Sequence, residues 1–173
     1  MSTIKTNAIQ TVAGKPILNS TGSILQVVQT AKTDTFSGVA NGTALLVTGL
    51  SASITPSSTS SKIWIIGHIM YGSTGTTYGG WFRRNGVDIG LGDASGSKQR
   101  VSMGMALSSD TNQSNTFIYS YLDSPGTTSS VTYQFYAIND NGLSLLINRS
   151  VNDQDNTTGK RGISTVTLLE VSG

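Results

Sequence analysis

Short segments in which apolar and polar residues alternate run along most of the chain. Between Thr116 and Leu122, Phe117, Tyr119 and Tyr121 occupy every second position, the period of a strand with one buried face. Lys62–Tyr71 is apolar at successive positions, which predicts a central strand covered on both faces. The predicted strands, rich in β-branched and aromatic residues, are Ile24–Thr30, Ala44–Thr48, Ala52–Thr55, Lys62–Tyr71, Tyr78–Arg84, Val87–Leu91, Arg100–Leu107, Thr116–Leu122, Val131–Ile138, Leu143–Asn148 and Ile163–Val171.

Turn residues separate these segments. Asn85-Gly86 lies between two strand-like runs and predicts a type I′ hairpin, because that turn needs positive φ at both central residues. Asn141-Gly142 repeats the signal, and Ser124-Pro125-Gly126 suits a type II turn. About ten short strands with such turns predict an all-β fold, a jelly-roll-like antiparallel β-sandwich.

The first 30 residues differ from the rest. Gly14, Pro16 and Gly22 interrupt any helix, so we predict an extended N-terminal arm over residues 1–30, followed by a knob domain over residues 31–173. A frayed tail is the alternative, but a solvated tail has no use for aliphatic side chains. The residues that we expect to dock this arm on a partner are Ile4, Ile9, Val12, Ile17 and Leu18.

Composition narrows the function classes. Only 12% of residues are charged and the net charge is +2, which disfavours a disordered chain. The single glutamate, Glu170, argues against surface helices, and the lack of a basic run argues against a nucleic-acid partner. Without cysteine there is no disulfide or cysteine-based zinc site. No apolar run approaches the length of a membrane span, and no signal peptide is predicted.

Residues that could support chemistry are few. His68, the only histidine, lies in the middle of an apolar strand, where packing in the core or at an interface is favoured over a catalytic triad. Asp153, Asp155 and Asn156 could supply oxygens to Ca²⁺, but they lack EF-hand spacing, and a solvated loop is favoured. One glutamate makes a glycosidase dyad unfavourable. We therefore predict a protein that is not an enzyme and has no cofactor.

Aromatic residues flank the glycine-rich segment Gly72–Gly80. The segment lacks the Gly-Lys-Ser/Thr ending of a phosphate-binding loop. Tyr78 and Trp81 could stack against a sugar, as exposed aromatic rings do in lectin-like surfaces, or they could pack inside the domain or between subunits. Packing is the favoured interpretation, with glycan contact as the alternative.

Five segments carry a resemblance to a known family. They resemble virion structural and fibre-like proteins of marine and cyanobacterial tailed phages, over nearly the whole chain. The first is the most specific. The segments are IQTVAGKPILNSTGSILQVVQ (Ile9–Gln29), LSASITPSSTSSKIWIIGHI (Leu50–Ile69), RRNGVDIGLGD (Arg83–Asp93), YLDSPGTTSSVTY (Tyr121–Tyr133) and GISTVTLLEV (Gly162–Val171).

The resemblance implies a homotrimeric jelly-roll knob, similar in build to tumour-necrosis-factor-like domains. The arm would attach the knob to other virion proteins of the capsid or tail, and no catalytic residues are implied. The chain has no room for the long shaft of larger family members, so a capsid decoration trimer or short fibre is expected. The expected location is the virion, after assembly in the bacterial host cytoplasm.

Two further expectations concern surfaces. Met103-Gly104-Met105 is a candidate trimer interface, because small residues allow close approach and methionine adapts to threefold packing. The alternative function is a carbohydrate-binding, receptor-binding protein of a tail fibre, with Tyr78 and Trp81 contacting a host surface glycan.

Overall fold

A computed structural model describes residues 21–73, 78–105, 111–139 and 142–173. These residues form strands and connecting turns, with no helix among them and hence no helix long and apolar enough to cross a membrane. The strands are β1 (Ile24–Lys32), β2 (Phe36–Val39), β3 (Leu45–Ile54), β4 (Lys62–Ser73), β5 (Tyr78–Arg84), β6 (Val87–Ile89), β7 (Met103–Met105), β8 (Asn115–Asp123), β9 (Val131–Asn139), β10 (Ser144–Ile147) and β11 (Ser164–Val171).

The strands form two antiparallel sheets. The six-stranded sheet is built around β4, which pairs with β11 and β10 along one edge and with β8 along the other. β1 pairs with β11, and β2 pairs with β10. The five-stranded sheet has the order β3-β9-β5-β6, and β7 also pairs with β5. In the six-stranded sheet, β1, β11, β4 and β8 therefore lie side by side, so that this part of the sheet is four strands wide.

The chain passes from one sheet to the other at most of its connections. β3, β5 and β9 belong to the five-stranded sheet, whereas β4, β8 and β10 belong to the six-stranded sheet. The first strand pairs with the last. This path is that of a jelly-roll-like sandwich, and the predicted all-β fold class is confirmed. Within the hairpin of β5 and β6, Asn85 and Gly86 have φ of +48° and +84°, as a type I′ turn requires.

Aromatic rings fill the space between the two sheets. Phe82 of β5 lies 4.8 Å from Tyr119 and 5.5 Å from Phe135, measured between ring centroids, and Phe117 lies 5.4 Å from Phe135. Tilted rings at these distances attract each other in addition to burying apolar area. Aliphatic side chains surround them, among them Leu50, Ile63, Ile65, Leu145, Ile147 and Leu168.

Several strands depart from the sequence predictions in extent. Ala44–Thr48 and Ala52–Thr55 are parts of one strand, β3, whose register shifts between Leu46 and Ser51 around Gly49 at φ +88°. β2 was not predicted, because its four residues are too few to show a period. Of the predicted strand Arg100–Leu107, Met103–Met105 form β7 and residues 100–102 precede it, whereas residues 106 and 107 lie outside the described residues.

Two predictions about the role of strands are corrected. Residues 24–30 were assigned to the arm, yet they lie in β1 and pair with β11 as part of the sandwich. The remaining arm residues, 1–20, lie outside the described residues. β4 was predicted to be covered on both faces, but Trp64 and His68 are exposed on its outer side. The apolar residues at successive positions of β4 therefore face the core on one side and solvent on the other.

Candidate functional site

A row of apolar side chains crosses the outer side of the six-stranded sheet. Register pairs Val27 with Leu169, Leu169 with Trp64, and Trp64 with Leu122, so these four residues are neighbours on four adjacent strands. Leu169 is partly buried, whereas the other three are between 39% and 58% exposed. Facing residues of neighbouring antiparallel strands have Cβ atoms about 5 Å apart. The row is therefore a continuous apolar band across the full width of the sheet.

More apolar residues extend this band. At one end Ile24 and Val171 are paired, and with Gly22, Trp64 and Leu122 they line a groove of about 330 Å³. Towards the other end, Ile118 of β8 is 57% exposed beside His68. The neighbouring outward row, formed by Gln29, Thr167, Ile66 and Ser120, is uncharged but polar at three of its four positions. We call the outer surface of β1, β4, β8 and β11 the apolar face, after its apolar row.

A hydrogen bond to the neighbouring strand fixes the Trp64 side chain. Its indole N–H donates to Oγ of Ser120 on the neighbouring strand at 2.9 Å. Because this bond satisfies the only polar atom of the side chain, what remains exposed is apolar ring surface. Tryptophan in this state is a typical anchor of protein interfaces.

Charge is nearly absent from the apolar face. The outward positions of its four strands contain Lys62 at one end and His68 near the other, and no acidic residue or arginine among the residues described. Depletion of charge together with tryptophan and branched aliphatic residues is the composition of an interface core.

The outer side of the five-stranded sheet has the opposite character. The row there contains Ser51, Gln134, Arg83 and Asp88, paired in that order across β3, β9, β5 and β6. A solvated sheet face is expected to be polar in this way. The contrast between the two outer faces of the same sandwich shows that solvation alone does not explain the apolar one.

The apolar face is large enough for a subunit contact. Four strands about 4.8 Å apart and about nine residues long cover roughly 19 by 30 Å, or roughly 600 Å² in projection. A stable interface buries about 800 Å² of accessible surface on each partner, and accessible area exceeds projected area. The geometry can therefore bury a second protein surface.

Ionisable groups elsewhere are mostly engaged in local pairs. Asp123 is buried, accepts two bonds from Arg84 at 2.8 and 3.0 Å, and accepts one from the Tyr133 hydroxyl at 2.7 Å. Burial raises the pKa of Tyr133 above its ordinary value, and the Asp123 carboxylate raises it further. These contacts link β5 and β9 of one sheet to β8 of the other. We interpret this cluster of Asp123, Arg84 and Tyr133 as structural, because the Asp123 carboxylate is buried.

The acidic loop predicted as an alternative calcium site is organised by arginine. Asp153 accepts both a 3.0 Å bond and a shorter one from Arg161, and it lies 3.4 Å from Arg149. The Arg161 bonds hold the pKa of Asp153 below its ordinary value. Within the part of the chain that the structure describes, no group of acidic and histidine residues is placed to hold a metal. His68, predicted to pack in the core or at an interface, is exposed on the apolar face.

The structure places the remaining predicted site residues in different parts of the molecule. Met103 and Gly104 are exposed on β7 at one edge of the five-stranded sheet, whereas nothing is described of the Met105 side chain. Tyr78 and Trp81 are buried, so neither ring lies open to a sugar. The Tyr78 hydroxyl donates to the Ser144 carbonyl at 3.0 Å, which agrees with the packing interpretation. The arm residues Ile4, Ile9, Val12, Ile17 and Leu18 lie outside the described residues.

Sequence reasoning missed the apolar face. The signal was present, because β4 is apolar on both of its faces and Ile118 and Leu122 face away from the three aromatic residues of β8. This pattern was interpreted as burial within the domain. Only the pairing of β1, β11, β4 and β8 shows that the outward residues form one surface.

Comparisons with known proteins give distant structural similarity only. No family model and no curated protein matches the chain. A structure of the Gt strain of infectious bursal disease virus is 14% identical over 95% of this chain, with a TM-score of 0.44, and one of the Gx strain is 11% identical over 97%, with a TM-score of 0.41. A VP2 subviral particle of the same virus is 13% identical over 84%, with a TM-score of 0.40.

The chain spans 37% to 42% of the length of those viral chains. A likeness this distant is not evidence of a shared function.

Proposed function

We propose that this chain is a structural protein of a bacteriophage virion and assembles as a homotrimer through its apolar face. The observation that carries the proposal is the uncharged row of Val27, Leu169, Trp64 and Leu122 across the outer side of a sheet. A subunit that always functions in an assembly can keep such a row, and contiguous apolar patches on a soluble domain often mark interaction sites.

A second copy of the same chain is the partner that fits best. A charged partner would gain nothing from a face whose ionisable residues are only Lys62 and His68. Around a threefold axis the apolar face of each copy can pack against both neighbouring copies without bringing an acidic residue or an arginine into the contact, and the estimated area is close to what one side of a stable interface needs. Homo-oligomers are also the commonest assemblies of soluble proteins.

The threefold symmetry and the virion come from the family resemblance rather than from the sheet. In this proposal the knob faces outward and residues 1–20 dock on a neighbouring capsid or tail protein, as a capsid decoration or a short fibre. The described chain begins at the rim of the apolar face, because Gly22 lines the groove beside Trp64. A non-enzymatic role is consistent with ionisable groups that serve as structural ion pairs.

The test of the interface introduces a carboxylate on the apolar face. Ile118→Asp and Val27→Asp change exposed residues on opposite edge strands, so the subunit should still fold. An unpaired charge buried between subunits is strongly destabilising. We expect each variant to convert the trimer to a folded monomer, as measured by light scattering after size exclusion. Val87→Asp is the matched control, since Val87 is 62% exposed but lies on β6, away from the face.

Met103→Asp distinguishes the two candidate interfaces. If the trimer is formed at β7, this variant dissociates and Ile118→Asp does not. The proposal for the apolar face is then wrong, although a homotrimer remains. If all of these variants keep the mass of the wild-type trimer, neither surface is the interface.

The virion role is tested separately by removing residues 1–20. The truncation stops before Gly22, whose N–H donates to the Ser172 carbonyl at 2.8 Å, so the sandwich should remain intact. We expect a folded trimer that is absent from purified phage particles, whereas the full-length chain is incorporated. Incorporation of the truncated protein at the full-length level would refute the docking role of the arm.

A further inference from the structure

A second recess lies at the edge of the sandwich, away from the apolar face. It is a wide, open cleft of about 640 Å³ at the surface. It lies where β6 of one sheet faces β8 of the other, since the backbone at Gly90 packs against the rings of Tyr119 and Tyr121. The residues that line this β6–β8 cleft are Val87, Asp88, Gly90, Leu91, Arg100 and Tyr121.

The carboxylate of Asp88, on the outer side of β6, is fixed in position at the rim of the cleft. Its Oδ1 accepts hydrogen bonds from the Trp81 indole and from Nε of Arg83, both at 2.6 Å. The Arg83 guanidinium is in turn held over the Tyr136 ring, 4.2 Å from its centroid. Although desolvation alone would raise the pKa of Asp88, these donors lower it, so the group is ionised at neutral pH. No hydrogen bond to Oδ2 is found among the described residues, and this oxygen can accept from a ligand.

Arg100 supplies donors on the other side of the cleft. Its Nε donates to the Gly92 carbonyl at 2.7 Å, which orients the guanidinium while leaving the terminal nitrogens available. Tyr121, 38% exposed, and Val87 add apolar surface to the same lining. The cleft thus combines a fixed acceptor, an oriented donor and one face of an aromatic ring.

The balance of charge selects among ligand classes. The Asp88 carboxylate would repel an anionic ligand, and the Arg100 guanidinium would repel a cationic one, so the cleft favours neither class. A neutral polyhydroxyl compound can donate to the carboxylate, accept from the guanidinium and place its C–H surface against tyrosine. We propose that the β6–β8 cleft binds a neutral saccharide, with Asp88 and Arg100 contacting hydroxyls and Tyr121 contacting the sugar ring.

This arrangement gives Trp81 a different role from the one that the sequence suggested. Its ring is buried and cannot stack on a sugar, but its N–H holds the carboxylate that would bind one. Trp81 is therefore a positioning residue. Tyr121 and Leu122 point to opposite sides of β8, so the cleft and the apolar face are separate surfaces, and failure of one proposal leaves the other standing.

The experiment is saturation-transfer NMR on the full-length chain with methyl glycosides of glucose, galactose and mannose, with N-acetylglucosamine, and with glucuronate as the charged comparison. We expect at least one of these neutral sugars to receive saturation. Asp88→Asn and Tyr121→Ala should each weaken binding about tenfold or more, because each removes a direct contact. Asp93→Asn, a nearby exposed carboxyl outside the lining, should bind as the wild type does.

Thermal unfolding of each variant shows whether the sandwich is intact, and Tyr121→Leu is a second probe, which removes the aromatic ring but keeps apolar volume, if the alanine variant does not fold. Three outcomes overturn the proposal: no sugar of the panel binds, only a charged sugar such as glucuronate binds, or Asp88→Asn binds as tightly as the wild type.

Discussion

Replacing Glu170 with glutamine tests how a buried carboxylate ties β11 to the loop that precedes β4. Glu170 is fully buried, and its Oε1 accepts from the Ser57 backbone N–H at 2.7 Å and from the Ser57 hydroxyl at 2.6 Å. Its Oε2 accepts from the Gln26 amide of β1 at 2.6 Å. Glutamine has nearly the same shape, but its NH₂ group cannot accept a hydrogen bond. One donor of this cluster would therefore face another donor.

The size of the effect follows from the pKa of the carboxyl group. Desolvation would raise the pKa of Glu170, but the hydrogen bonds from Ser57 and Gln26 outweigh it and hold the pKa at about 2, against an ordinary value of 4.5. A difference of this size corresponds to roughly 3 kcal/mol. Because Ser57 is itself exposed, solvent screens part of this interaction. We expect Glu170→Gln to lower the free energy of unfolding by roughly 2 kcal/mol at pH 7.

The pH dependence gives the prediction its sign. The folded-state pKa of Glu170 lies below the unfolded value, so its stabilising contribution is complete above about pH 4.5 and is lost as the pH falls towards about 2. Urea unfolding followed by tryptophan fluorescence, at one fixed protein concentration, measures the free energy of unfolding of the wild type and of the variant. The difference between wild type and variant should be largest near neutral pH and should shrink between about pH 4.5 and 3.

Asp93→Asn is the control, because Asp93 is exposed and its replacement should change stability by less than about 0.5 kcal/mol. The reasoning is refuted if Glu170→Gln is as stable as the wild type at pH 7. It is also refuted if the two chains differ by the same amount at pH 3 as at pH 7.

Three further substitutions test the packing by the same urea measurement. Asn148→Ala should cost roughly 3 kcal/mol, because the buried side chain donates to two backbone carbonyls and the residue holds φ +62°; wild-type stability would contradict this. Gly79→Ala should cost about 1–3 kcal/mol, since a Cβ would overlap the Val101 side chain. Adding Val101→Ala should recover part of the loss, and Gly104→Ala, with open space around it, should be neutral. Tyr133→Phe should cost about 1–3 kcal/mol by removing a donor to a buried carboxylate, and a neutral effect would argue against that bond.

Much of the fold could be predicted from local chemistry. The alternation in Thr116–Leu122 is that of β8, and Asn85-Gly86 marks the hairpin between β5 and β6. Such signals lie within a few residues of each other, and turn geometry restricts them strongly. Strand boundaries that depend on pairing with strands distant in the sequence were predicted less well. β3 is continuous through its bulge at Gly49, and residues 24–30 are held in the sheet by β11.

The candidate site could not be predicted for the same reason. Val27 and Leu122 are 95 positions apart in the sequence and face outward on the two edges of one sheet, with β11 and β4 between them. Nothing near either residue indicates that it shares a surface with the other. The role of Asp88 likewise depends on Trp81 and Arg83 across a hairpin and on Arg100 from the following loop. The sequence shows the residue types of the apolar face and of the β6–β8 cleft, but it does not show that those residues share a surface.

The central claim is that the apolar face is covered by other copies of this chain. The most direct measurement is the mass of the purified full-length protein by light scattering after size exclusion, over a series of dilutions. The account predicts a mass three times the 18.1 kDa of the chain, retained on dilution because the contact is broad and apolar. A single species of 18.1 kDa at every concentration would contradict it.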